Sequence, residues 1–263
     1  MELSTAALWL NSAFAGYDSA ILNIMHSLAD KAGAVLTPLM RVISFLGEKG
    51  IIFFLLALGF LCFSKTRKMG VCLFGAVCCG ALITNVILKD LIARPRPFEA
   101  VEVFGQWWSA VGAPAEDGFS FPSGHVTAAA AGMTALCLMR GKKLILPSVI
   151  WVLLMAVSRN YLMAHYPSDV LFAALIGCAS AFIAFLITKL IFRFLEERSD
   201  NSLFALILDY DVPIPIAAGL TSDRGDAGKG HGAGTEPRGG KSSHAGKSSG
   251  SGKSGGYKGK HEA

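Results

Sequence analysis

The chain has 263 residues, of which 52% are apolar and 16% charged, against about a quarter charged in a typical soluble domain. Its formal net charge is +5, and much of the Lys and Arg lies after Arg193, which leaves a still more apolar body. This excludes an ordinary soluble enzyme and gives no reason to expect a nucleic-acid partner; it points to several membrane spans.

In chain order, the first sixteen residues carry Glu2 and no Lys or Arg, and Asn11 interrupts their apolar run. No signal peptide is expected there. Residues 20–28 and 34–46 are apolar but broken by His26, Asp30, Lys31, Pro38 and Arg41. Short amphipathic helices along the outer surface account for that pattern, and an additional span is the alternative. Five stretches are then apolar enough to cross a bilayer: 47–64, 71–88, 123–139, 144–157 (extendable to 163) and 170–188.

The segment 98–121 reads as an aromatic loop with Phe104, Trp107, Trp108 and Phe119, suited to the membrane–water boundary, as an anchor or as a ledge beside a lipid. All six cysteines lie inside apolar stretches without Cys-x-x-Cys spacing, and read as small packing residues. From residue 221 onward Gly, Ser, Lys and His dominate without apolar periodicity, as in a disordered tail. The expected organisation is therefore 1–46 interfacial helices, 47–195 transmembrane core, 196–220 juxtamembrane segment and 221–263 tail.

Basic residues set an orientation. Lys65, Arg67 and Lys68, then Arg140, Lys142 and Lys143, then Lys189, Arg193 and Arg198 all fall on one side of the five spans. The positive-inside rule assigns that side, with the tail, to the cytoplasm.

Three polar clusters fall on the opposite, outer side. Lys89 closes the second span, and Arg96 follows between Pro95 and Pro97, which stiffen the backbone and present a guanidinium that can grip phosphate with paired hydrogen bonds. Pro122-Ser123-Gly124-His125 opens the third span; its free N–H groups at a helix start suit an anion. Ser158-Arg159 closes the fourth span, and His165 precedes Asp169 by four residues. That spacing lets Asp169 accept a hydrogen bond from one ring nitrogen and leave the other as a nucleophile, or cap the following helix, or both. Any one cluster can be read as residues snorkelling to the headgroups, but three such clusters at span ends on one side are specific.

These residues spell Lys-x6-Arg-Pro, Pro-Ser-Gly-His and Ser-Arg-x5-His-x3-Asp, and with them the chain resembles the type 2 phosphatidic acid phosphatase superfamily over approximately residues 45–194. The resemblance implies an all-α, polytopic membrane helix bundle of about five spans acting on a phosphorylated lipid. It also implies catalysis through a phosphohistidine, without metal or other cofactor. On that reading His165 attacks phosphorus, Asp169 orients it, and His125 protonates the leaving oxygen. Lys89, Arg96, Ser123, Gly124 and Arg159 hold the phosphoryl oxygens. The compact layout looks most like the undecaprenyl pyrophosphate members, beside those acting on phosphatidic acid or phosphatidylglycerol phosphate. Two alternatives stay open: a phosphatase or phosphotransferase for soluble esters, and a non-catalytic protein that binds lipid phosphates. Oligomeric state is not legible.

Overall fold

A computed structural model describes residues 3–114 and 116–212, and all regular structure among them is helical. Helix α1 (Thr5–Ala13) is capped by Ser4, whose Oγ accepts from the Ala7 amide at 3.1 Å. Helix α2 (Ala15–Leu46) runs 32 residues, with one break from helical geometry at Ala32. A short 3₁₀ turn, Glu48–Gly50, leads into α3 (Ile51–Leu61). Then come α4 (Ser64–Ala81), a π-helical stretch Leu82–Leu88, and α5 (Lys89–Ile92).

The expectation of short surface helices in the first 46 residues does not hold for α2. Its C-terminal half packs against a later helix, Ile145–Tyr161: Thr37 Oγ1 lies 2.8 Å from the Tyr161 hydroxyl, and Ser158 Oγ donates to the Met40 carbonyl at 2.8 Å. Two of the polar residues that mimic an interfacial pattern, His26 and Asp30, are partnered instead. His26 stacks on Trp107 with 3.9 Å between ring centroids, and also pairs with Asp30.

The expected aromatic loop is largely helical, as α6 (Pro97–Ala100) and α7 (Glu102–Ala110). Trp108 stacks on Phe98 at 4.8 Å, so both tryptophans are spent on intramolecular ring contacts. The remaining helices are α8 (Gly124–Arg140), α9 (Ile145–Tyr161), α10 (Pro167–Glu196) and α11 (Ser202–Asp209). Arg67 donates to the carbonyls of Ile207, Leu208 and Tyr210 and ties α11 to the start of α4. The tail expected at 221–263 lies outside the described residues.

Among the described residues, four stretches are long and apolar enough to cross a membrane: Ala15–Leu61, Ser64–Ala100, Lys142–Tyr161 and Pro167–Glu196. Helix α8 is shorter, at 17 residues, and sits in the interior, where Val126, Ala129, Ala130 and Ala131 are buried. Small side chains let its neighbours approach closely, the usual basis of helix packing in lipid. At Gly177 of α10 an added Cβ would come within 2.5 Å of the Thr127 carbonyl oxygen and 2.7 Å of the Ala130 Cβ. At Gly80 of α4 it would meet the Thr127 methyl at 3.0 Å. Helix α8 is thereby clasped between α4 and α10, and the first turns of α8 and α10 open at the same end of the bundle.

Candidate active site

At that end lies a cavity of 620 Å³, whose walls include Lys89, Arg96, Gly124, His125 and His165. Ser123, Arg159 and Asp169 are completely buried beside it. The structure therefore gathers all eight residues singled out in the sequence at one site.

The positions follow from local structure. The π-helical turn before Lys89 widens the helix by one residue per turn, and π segments of this kind concentrate at functional sites. It puts Thr84 and Asn85 on the cavity wall with Lys89. A Cβ added at Gly124 would lie 3.2 Å from Asn85 Oδ1, so the glycine allows this close approach. Ser123 occupies the N-cap of α8, as expected, but its Oγ caps nothing. That hydroxyl and Arg159 Nε are buried without a hydrogen-bond partner among the described residues. Buried polar atoms of this sort are rare and call for an explanation, and two beside a histidine-lined cavity suit an anionic ligand.

Arg96, 1% exposed, spends its guanidinium on backbone: it donates to the carbonyls of Gly118 (2.9 Å), Ala164 (3.0 Å) and Asp117 (2.9 Å). Arg159 donates to Ser44 Oγ at 2.5 Å and is bonded to Glu116, which also lies 3.6 Å from Arg96. Burial works against the Glu116 carboxylate, but the two guanidiniums more than offset it and hold the carboxyl below its usual range.

The contact expected between His165 and Asp169 is not made. The Nδ1–H of His165 donates instead to the Ser120 carbonyl, at 2.7 Å. A carbonyl can only accept, so this bond fixes the proton on Nδ1 and leaves the Nε2 lone pair free. Asp169 stands one step behind. Its Oδ2 accepts from Ser120 Oγ and, at 3.0 Å, from the Tyr166 amide, which caps α10; its Oδ1 takes Arg94 Nη1 at 2.5 Å. The physical reason is that Asp169, in the first turn of α10, faces the chain before His165 and the guanidinium, so a backbone carbonyl fills the place beside the ring. Burial first, then the positive charges of Arg96, Arg159 and Lys89, push the His165 pKa well below its ordinary value. The imidazole is neutral at physiological pH.

Several residues around the site were not anticipated. Arg94, outside the three motifs, is buried and ion-paired with both Asp169 and Asp18 of α2 (2.9 Å), and lies 3.9 Å over the Tyr166 ring. Its Nε donates to Asn11, and Asp18 accepts from the Ser168 amide and hydroxyl. One signal pointed there: an acid in an apolar helix is costly unless paired, and Arg94 was a surplus cation. Ser120 and Glu116 carried no signal in the sequence.

Compared with known proteins, residues 70–193 match the family model described as the PAP2 superfamily. The chain is 29% identical over 124 residues to an undecaprenyl-diphosphatase of Sulfolobus acidocaldarius, covering 47% of this chain and 57% of that protein. It thus spans little more than half the length of that relative. It is 32% identical over 164 residues to a decaprenylphosphoryl-5-phosphoribose phosphatase of Mycobacterium tuberculosis, covering 62% of this chain and 85% of that one. The crystal structure of Aquifex aeolicus LpxE superposes with a TM-score of 0.52 at 23% identity, over 62% of this chain and 93% of that chain, a likeness of fold.

Proposed function

The chain belongs to the PAP2 superfamily, and from that premise we propose that this multi-pass membrane protein hydrolyses lipid phosphates or lipid diphosphates through a phosphohistidine. The observation that carries the reading is His165 itself: buried, its Nδ1 proton committed to Ser120, on the wall of a cavity shared with Lys89, Arg96 and His125. Nε2 is then the nucleophile, attacking phosphorus in line with the departing oxygen. His125 takes up a proton as the substrate's negative charge enters the cavity, gives it to that oxygen, and later takes one from the water that cleaves the N–P bond. Lys89, Arg96, Arg159, the Ser123 hydroxyl and the Gly124 amide neutralise the phosphoryl oxygens in the transition state, as fixed cations can in a water-poor site. Asp169 acts through Ser120 and Arg94 to hold the loop that carries the accepting carbonyl.

The site faces the outer side of the membrane in this proposal. Lys68 and Glu196 pair at 2.5 Å, which joins the start of α4 to the end of α10 at the pole opposite the cavity. That pole carries Lys65, Arg67, Arg140, Lys142, Lys143 and Lys189, and the positive-inside rule places it in the cytoplasm. The substrates are those the relatives' names indicate: a polyprenyl diphosphate or a phosphorylated polyprenyl headgroup.

The test is phosphate release by purified protein in detergent with excess chelator, on undecaprenyl diphosphate, phosphatidylglycerol phosphate and phosphatidic acid. Release that His165→Ala abolishes supports the reading. Release that persists in that variant rejects His165 as nucleophile, and no release from any of the lipids rejects the activity.

A further inference from the structure

The cavity is larger than one phosphoryl group requires: its 620 Å³ falls in the range of pockets that enclose a whole small ligand, roughly 300–1,000 Å³. One part of the wall is built by the end of α2 and the turn after it, and it presents Arg41, Ser44 and Lys49. Ser44 Oγ accepts from Arg159 Nη1 at 2.5 Å, so this wall touches the phosphate cradle directly. Arg41 lies three residues before Ser44, on the same helix face and about 5 Å along the axis. Its guanidinium rests against Gly112, where an added Cβ would come within 2.6 Å of Nη2 and where φ is +54°. The positive φ favours glycine there, and the absent side chain leaves room for the guanidinium. Lys49 is itself held at φ +49°, a left-handed conformation that a side-chain-bearing residue adopts at a cost, and such outliers cluster at ligand sites. Among the described residues no carboxylate lies within ion-pair distance of Arg41 or Lys49; Glu48, on the same wall, pairs with neither.

We infer that Arg41 and Lys49 form a second anion subsite, one helical turn from the first, which takes the lipid-linked phosphate of a diphosphate while the terminal phosphate sits at His165. The inference rests on the phosphatase reading and narrows its substrate class to lipids with two adjacent phosphates. The Nε2–P bond forms as the bond from the terminal phosphorus to the bridging oxygen breaks. The electron pair leaves on the lipid monophosphate, where His125 supplies a proton and Arg41 and Lys49 offset the charge.

The experiment has two arms on the full-length chain in detergent. In the first, kcat/KM is measured for farnesyl diphosphate and farnesyl monophosphate, in wild type and in the Arg41→Gln/Lys49→Gln double variant. The ratio of the two values is expected to fall at least about tenfold in the double variant, about 1.4 kcal/mol, and to recover in Arg41→Lys/Lys49→Arg. A ratio that stays constant overturns the subsite, whatever the absolute rates. The second arm is calorimetric binding of methylenediphosphonate, which is not hydrolysed, against inorganic phosphate. Wild type should favour the diphosphonate by about tenfold and the double variant should lose that margin; equal affinities in wild type overturn the subsite. If wild type turns over neither farnesyl ester, the binding arm alone decides the subsite, and the phosphatase reading stands or falls on the longer lipids named above.

Discussion

Arg94 Nη1 lies 2.5 Å from Asp169 Oδ1, with both side chains sealed from solvent, and the same guanidinium reaches Asp18 of α2 at 2.9 Å. One cation thus ties α2 to the start of α10, just after His165. Removing one member of a buried ion pair strands the other charge, at a cost of about 3–5 kcal/mol. Arg94→Met, which strands two carboxylates, should lower the melting temperature of the detergent-solubilised protein by many degrees. Asp18→Asn, which keeps the shape and relieves one charge, should cost less; an unchanged melting temperature for Arg94→Met would dismiss this network as a stabilising element.

The ring of His165 is bonded to Ser120, and Asp169 reaches it only through that residue. Asp169→Asn should therefore reduce kcat with little change in KM, by about 10–100-fold as for other residues that orient a reacting group from behind. His165→Ala should abolish turnover. Equal losses in the two variants would mean that Asp169 touches the ring during the reaction.

Glu116 is a resident anion on Arg159 and Arg96, the cations assigned to phosphate. Its charge competes with an incoming oxyanion for the same guanidiniums. Glu116→Gln should tighten inhibition by vanadate, a mimic of five-coordinate phosphorus, by about tenfold. Weaker inhibition in the variant would show that Glu116 chiefly holds Arg159 in place.

His165 has a pKa well below its ordinary value in the folded protein, because of burial and the surrounding cations. Below about pH 6.5 the unfolded chain binds a proton there that the folded chain does not. Its contribution to stability is thus complete above about pH 6.5 and is lost progressively on acidification. The melting temperature should fall between about pH 7 and about pH 5, and His165→Asn should flatten that slope. An identical slope in the variant would assign the acid sensitivity to other groups.

The site was legible in the sequence to the extent that charge in apolar surroundings is conspicuous. Lys89, Arg96, His125, Arg159, His165 and Asp169 stand out at span ends because lipid tolerates no idle cation. Their partners did not. Asp18 lies on α2, whose scattered polar residues imitate an interfacial helix, and nothing local tells a residue facing headgroups from one facing another helix. The carbonyl of Ser120 was invisible for a different reason: a backbone acceptor leaves no trace in residue identity. The five apolar stretches all proved helical, yet the N-terminal segment was misjudged because α2 continues through its polar interruptions and Pro38, leaving helical geometry only at Ala32.

Gly177 sits eight residues, some 12 Å of helix, from Asp169, and takes no part in the reaction. Even so, its missing methyl group sets how near α10 can stand to α8, and each of those helices carries one side of the reaction centre on its opening turn. The spacing between His125 and Asp169 is thus governed well below the cavity. Its precision is a matter of steric clearance between two helices, and a single carbon added at Gly177 would wedge the jaws apart without touching either residue.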